Sequence, residues 1–373
     1  MKYEKQINRV IKTEVLVIGG GAAGFGAAVA AARNGAETLL IEQAEMLGGM
    51  ATAGLVGPFM TCYNDAPTEQ IVKGIFDELC VRTEEKGGAI HPSKVEGLST
   101  YSSYYVKSHC HVTPFLSETL AIVMEDMVLE AGAKILYHVQ LCDVLSENGR
   151  ITGVIAAMKE GLTRIEASVY IDCTGDADVA YYAGAECISG DETDGVMQPV
   201  TLFFEVGNID REKFVGALEE KKAEGRLGIP GENCWSWFIK EAKEKGEWTI
   251  DRNEIGNYEQ PIEGRWKINT TRIAHIDATN TEEITRAMIA VSYTHLVCSG
   301  NNWEPTLMRA MEDMTEYNDG GKTLPNVYLI FGKRILDLSG LLDEPQVQSL
   351  AKVELASARE EDVLIILCSA RTD

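Results

Sequence analysis

The sequence predicts an α/β, Rossmann-like domain that carries a β-meander and is followed by a smaller α+β region. Three observations predict it. Residues 14–42 run strand, glycine cluster, Ala-rich helix, strand. Residues 133–173 alternate short apolar runs with turn signals. Residues 201–270 alternate strand-like runs with charged amphipathic helices.

The first unit reads EVLVIGGGAAGFGAAVAAARNGAETLLIE. Val15 to Ile18 make an apolar strand, and Gly19, Gly21 and Gly24 follow it in G-x-G-x-x-G spacing. The helix runs to about Arg33, Gly35 closes it, and Thr38 to Ile41 make the second strand. Each position has a physical reason. Gly19 permits the sharp turn out of the strand. Gly21 lets a pyrophosphate touch the backbone, where a side chain would collide. Gly24 and Ala28 let the helix pack closely on the sheet, and the helix N-terminus offers free N–H groups to phosphate. Glu42, at the end of the second strand, can accept hydrogen bonds from both ribose hydroxyls, and its charge repels a 2′-phosphate.

That fingerprint serves NAD and FAD alike. Two further features bear on the choice. Gly48 and Gly49 lie just beyond the acid, in QAEMLGGMATAG, where small residues let the backbone pass a long extended cofactor. Much later, VYIDCTGDADVAYYAGA is an apolar run that ends in an acidic turn. If it returns to the same sheet, Thr174 and Gly175 end beside the first glycine loop. Asp176 then caps the short helix that follows, as Asp favours, and can also bond a cofactor hydroxyl. Asp178 reads as an ordinary first-turn acid.

Together VLVIGGGAAGFGAA, LIEQAEMLGGMATAGLVGPFMT, TPFLSETL, ILYHVQLCDVLSENGRITGVIA and IDCTGDADVAYYAGA resemble the FAD-dependent oxidoreductase family. That family is related to the flavin subunit of heterodisulfide reductase and to fumarate-reductase-type flavoproteins. The resemblance runs in ordered blocks over roughly residues 10–289 and implies a glutathione-reductase-like FAD fold. It also implies the site. Gly19, Gly21, Ala22, Ala23 and Gly24 would hold the pyrophosphate. Glu42 and Gln43 would sit at the adenosine ribose. Gly48, Gly49, Met50, Ala51 and Thr52 would pass the middle of the cofactor. Val139 would meet adenine through its backbone, and Thr174, Gly175 and Asp176 would close over that half.

Further along, Leu116 to Ala131 is a helix, with Leu116, Leu120, Val123, Met127 and Leu129 as its apolar positions. Asn148-Gly149 and Glu160-Gly161 mark the turns of the meander. TLFFEVG and GRWKINTTRI read as strands of an antiparallel sheet, with helices at DREKFVGALEEKKAEGR and WSWFIKEAKEKGEW and a GIPGEN loop between them. Trp235, Trp237 and Phe238 are a binding wall or, more simply, core. His109 and His111 in SHCHV lack a third ligand, so no metal site is expected. The polar aromatic stretch around Tyr101 to Tyr105 has no assigned use. INTTRIAHID resembles the family's N-x-T-R segment, which faces the flavin region. By that likeness Arg272 is the catalytic candidate, holding a substrate carboxylate or stabilising charge on reduced flavin. A structural salt bridge is an equally open reading of Arg272.

A net charge of −23 opposes nucleic-acid backbones and anionic membranes. The first residues lack the apolar core of a signal peptide, so the expectation is a cytoplasmic protein. Nine cysteines contain no C-x-x-C pair, which argues against a zinc ribbon, a redox dithiol or a cluster-binding run.

The expected domains are 1–200, FAD-binding with the meander; 201–289, substrate-capping; and 290–373, a tail outside the flavoprotein fold. The resemblance stops near Ile289, VSYTHL looks like a junction, and no flavin-capping element reads from residue 291 onward. Strand candidates in this tail are Val327 to Phe331 and EDVLIILC, with a helix candidate at Pro345 to Ala358. The expected function is FAD-dependent hydride transfer between a small organic substrate and flavin. Electrons would pass to another acceptor, with an iron–sulfur protein as one class. The alternatives are a non-catalytic FAD- or ADP-binding fragment and an electron-transfer flavin subunit of a heterodisulfide-reductase-like complex.

Overall fold

β1 (Arg9–Ile18) is the spine of the molecule, and its burial changes along its length. The first half is partly exposed, while Val15 to Ile18 are buried on both faces. The computed structural model describes residues 4, 6–7, 9–64, 68–95, 97, 99–103, 109–225, 235–246, 248, 250, 252–297, 328–331 and 364–367. Tyr104 and Tyr105, the GIPGEN loop and the helix candidate at 345–358 lie outside the described residues.

The first sheet has six strands in the order β3-β2-β1-β6-β5-β4. β2 (Thr38–Ile41) and β3 (Lys134–Leu136) extend it on one side of β1, all parallel. On the other side β6 (Gly161–Asp172) runs parallel to β1, with Val17 opposite Ile171 and Ile18 opposite Asp172. β4 (Gln140–Glu147) and β5 (Arg150–Met158) complete the sheet as antiparallel strands. The last meander strand and the return strand are therefore one strand, β6. Asn148 and Gly149, both at positive φ, make the tight β4–β5 turn.

The period-2 alternation of β1 and β2 sends side chains to two separate cores. Val15, Val17 and Leu40 pack under α1 (Ala22–Arg33) and α3 (Ser117–Glu130). Leu16, Ile18, Leu39 and Ile41 pack against Val144, Val154 and Ile165 of the antiparallel half. On α3 the buried stripe is Leu120, Val123, Met124, Met127 and Val128. Leu129, expected among the apolar positions, is exposed because it lies one residue off that 3.6-residue stripe.

The second sheet has the order β10-β11-β7-β9-β8. β7 (Phe204–Val206), β8 (Gly256–Glu259) and β9 (Trp266–Asn269) are antiparallel neighbours. One face carries Phe204, Val206, Trp266 and Ile268 into a core with α5 (Arg211–Ala223) and α6 (Ser236–Glu244). Trp235 is 1% exposed there, and Trp237 and Phe238 pack against the same cluster, so these aromatics are core. α7 (Thr281–Val297) runs across residue 290. β10 (Tyr328–Phe331) and β11 (Leu364–Leu367) pair in parallel, and β11 joins β7 with Ile365 opposite Val206. Among the described residues no helix is long and apolar enough to cross a membrane.

Candidate functional site

The parallel strands β1, β2, β3 and β6 all end at one edge, and the segments that follow them interlock. Gly19 N donates to Ile41 O (2.9 Å), Glu42 N to Leu136 O (2.9 Å), Cys173 N to Ile18 O (2.9 Å) and Val139 N to Glu42 O (3.0 Å). The edge is thus stitched by backbone amides before any side chain acts.

The glycines at this edge answer to different neighbours. Gly19 has φ +99°, and a Cβ there would lie 2.3 Å from Cys173 O on the return strand. A Cβ at Gly24 would lie 1.8 Å from Gly19 O, so the loop needs this glycine as much as helix packing does. Gly49 would meet Gly21 Cα at 3.1 Å, and Gly48 bridges Gly21 with its own N–H on Gly20 O at 2.8 Å. Gly49 is therefore required by contact with the glycine loop, and Gly48 by its φ of +104° and by Thr52, whose side chain a Cβ would meet at 2.3 Å. At Gly21 a Cβ would meet nothing within 4 Å. α1 opens there with Ala22 and Ala23 exposed, no side-chain cap and no acid in its first turn.

Glu42 is buried and its carboxylate is already engaged. Oε2 accepts from Gly20 N at 2.5 Å and Oε1 from Ala44 N at 2.7 Å. Gln43 beside it is exposed. In the next segment Met50 is exposed, Ala51 and Thr52 are buried, and Thr52 Oγ1 donates to Leu47 O at 2.6 Å. The turn after β6 differs from expectation. The helix α4 (Asp178–Tyr182) has no side-chain cap, and Ala177 precedes it at φ +57°. Asp176 is exposed and does not cap. The organising residue is Asp172, which sequence reasoning missed. Its Oδ1 accepts from Thr174 N (3.0 Å) and Thr174 Oγ1 (2.7 Å), and its Oδ2 from Ala180 N (2.9 Å). Thr174 Oγ1 in turn accepts from Asp178 N at 2.7 Å. The strand's last residue reaches over the turn because the left-handed Ala177 swings Asp176 outward. Gly175 is exposed beside it.

The second sheet approaches this edge with a polar face. Glu205 and Tyr258 lie on opposite sides of Lys267 in register, and Arg265 shares that face by alternation. Arg265 reaches Glu205 (2.5 and 2.9 Å) and, on α3, Glu118 (2.6 and 3.3 Å). Burial alone would lower the Arg265 pKa, and the two carboxylates reverse that and raise it. Tyr258 packs with Leu55 and Val56, just beyond the 48–52 segment. The side-chain amide of Gln260, a residue 3% exposed, has no hydrogen-bond partner among the described residues.

Arg272 is exposed, between buried Thr271 and partly buried Ile273, whose backbone bridges Val200. No hydrogen bond or ion pair holds its guanidinium among the described residues. His111 stacks on Tyr63 with ring centroids 3.9 Å apart and points Nδ1 at Pro92 O. Burial pushes the His109 pKa down. Among the described residues no group of three or more His, Cys, Asp or Glu is placed to hold a metal. The loop at 100–103 is tied to the second sheet: Thr100 donates to Glu259, and Ser103 Oγ to Asn257 Oδ1 at 2.9 Å.

The family described as FAD dependent oxidoreductase matches residues 14–320, which carries the likeness past Ile289. Thiamine thiazole synthase of Aeropyrum pernix is 32% identical over 184 residues, 46% of this chain and 58% of that protein. The chain thus spans less than two thirds of that relative's length. A geranylgeranyl bacteriochlorophyll reductase-like protein of Thermoplasma acidophilum has a TM-score of 0.40 at 16% identity, over 74% of this chain and 60% of that one. A myxobacterial chondrochloren halogenase has a TM-score of 0.44 at 13% identity, over 81% of this chain and 58% of that one.

Proposed function

Because the chain belongs to the FAD-dependent oxidoreductase family, we propose that it transfers hydride between a small organic substrate and FAD held at the carboxyl edge of the first sheet. Gly21 carries this reading. At Gly19 and Gly24 the chain itself forbids a side chain, whereas at Gly21 it leaves open space. Gly21 also has an ordinary φ of −64°, so its own backbone does not demand glycine. What a side chain would obstruct there is a ligand lying against the N-terminus of α1, where unbonded amides favour phosphate.

The residues present fit that ligand. The amides of Ala22, Ala23 and Gly24 would hold pyrophosphate. Glu42 keeps acceptor capacity beyond its two amide bonds, since a carboxylate offers about four lone-pair sites. It would bind the ribose hydroxyls while fixing Gly20 beneath the phosphates. Gln43 borders the same ribose. The Val139 amide is taken by Glu42 O, so its carbonyl would meet adenine. Gly48 to Thr52 would pass the middle of the cofactor, with Thr174, Gly175 and Asp176 over the adenosine half. FAD, when bound, supplies the two-electron acceptor. The chain's task is then to orient substrate and offset negative charge, and Arg272, with no ion pair among the described residues, is the residue we assign to it. Electrons leave to a separate acceptor, for which an iron–sulfur protein is a suitable class.

The test is the visible absorption of the purified protein, before and after incubation with FAD and gel filtration. Flavin that co-elutes near one equivalent supports the reading. A colourless protein after both treatments removes it.

A further inference from the structure

Lys267 is 1% exposed, and taking an ammonium out of water to that depth costs several kcal/mol, which a methionine of similar volume would avoid. Its surroundings show what the charge is set against. Nζ lies 4.2 Å from the Phe115 ring centroid. It donates to Ser117 Oγ at 2.8 Å, and Ser117 Oγ donates to Ala51 O at 2.8 Å. A Cβ at Gly57 would come within 2.9 Å of Nζ, so the Gly57 backbone lies directly against the ammonium. Glu205, 2% exposed, faces Lys267 across the β7–β9 register, and Arg265 and Glu118 complete a set of two cations and two anions. The four charges sum to zero across the boundary between α3 and the second sheet.

We propose that Lys267 is a positioning residue for the 48–52 turn. Its ammonium orients the Ser117 hydroxyl, and that hydroxyl holds the Ala51 carbonyl. The second sheet, which carries Tyr258 and leads to Arg272, is thereby set in register with the segment that passes the cofactor. The relevance to flavin rests on the proposed FAD reading. The relay itself does not, and it can be tested separately.

Hydrogen exchange of the intact protein tests the relay without cofactor. The amides of Thr52, Leu55 and Val56 bond to Gly49 O, Thr52 O and Met50 O within this turn. Lys267→Met and Ser117→Ala should each speed exchange of these amides severalfold. The double variant should be no worse than the more severe single one, because both cut the same chain. With FAD added, both variants should show the same displaced flavin absorption maximum and the same weakened affinity. Ser117→Ala removes one oxygen and keeps the inference testable if Lys267→Met does not fold. Unchanged exchange in Ser117→Ala overturns the relay, as does a double variant whose effects simply add. Faster exchange with no FAD uptake by the unmodified protein leaves the relay standing and removes the FAD reading instead.

Discussion

At the carboxyl edge of the first sheet the groups that join neighbouring segments are backbone: the amides of Gly19, Glu42, Gly48 and Cys173, each on a carbonyl of another segment. On the inner face of the second sheet they are side chains: Glu205, Tyr258, Arg265 and Lys267. The first region is held by main-chain hydrogen bonds between adjacent strand ends, so small residues suffice, and several positions tolerate nothing larger. The second depends on charges that neutralise one another and on α3 to receive them. A backbone-built edge suits a cofactor with a fixed shape.

The contrast can be broken most severely on the second sheet. Arg265→Met leaves buried Glu205 without the guanidinium that bonds it. The variant should lose about 3–5 kcal/mol, the usual cost of breaking a buried pair. Urea denaturation would read this, and a loss under about 1 kcal/mol would mean the cluster relaxes or takes in water.

Gly24→Ala probes the backbone-built edge. The added methyl meets Gly19 O, so either the loop or the helix must move, at about 1–3 kcal/mol for overpacking. Thermal melting should show that loss in the absence of any FAD. Equal stability would mean the loop shifts without resistance.

A smaller effect follows from His109. Burial holds its pKa below 6.5, with Glu254 opposing in part. The unfolded chain then binds the proton first as pH falls, so this group's contribution is present above about pH 6.5 and fades below it. The melting temperature should drop between about pH 7.5 and 5.5, and His109→Gln should flatten that slope. An unchanged slope would assign the loss to other groups.

The smallest stability change belongs to Arg272→Ala, within about 0.5 kcal/mol for an exposed side chain without a partner among the described residues. Its effect should fall on turnover, with flavin retained. Loss of flavin or of the fold would restore the structural reading of this residue.

What the sequence disclosed follows the same division. Strand, glycine turn, helix and acid between residues 14 and 42 are legible because every spacing is local. So are the meander turns, since Asn148-Gly149 names its own conformation. The reasons behind individual glycines were less accessible: Gly19 is required by Cys173, far along the chain, and Gly49 by Gly21. Asp176 stood where a cap belongs, yet the left-handed Ala177 gives that work to Asp172. In Arg265-Trp266-Lys267-Ile268-Asn269 the alternation marks a strand, but it does not reveal that the polar side is buried too. Its partners, Ser117 and Glu118, come about 150 residues earlier, and only the folded chain brings them together.

The proposed site sets FAD against Gly21, in space the chain itself leaves open. Fluorescence titration with FAD of the unmodified protein and of Gly21→Val, with far-ultraviolet circular dichroism on both, tests it most directly. Saturable binding to the unmodified protein and none to Gly21→Val, with superimposable dichroism spectra, is the expected outcome. Equal affinity in the two proteins would contradict it and place the pyrophosphate away from this turn.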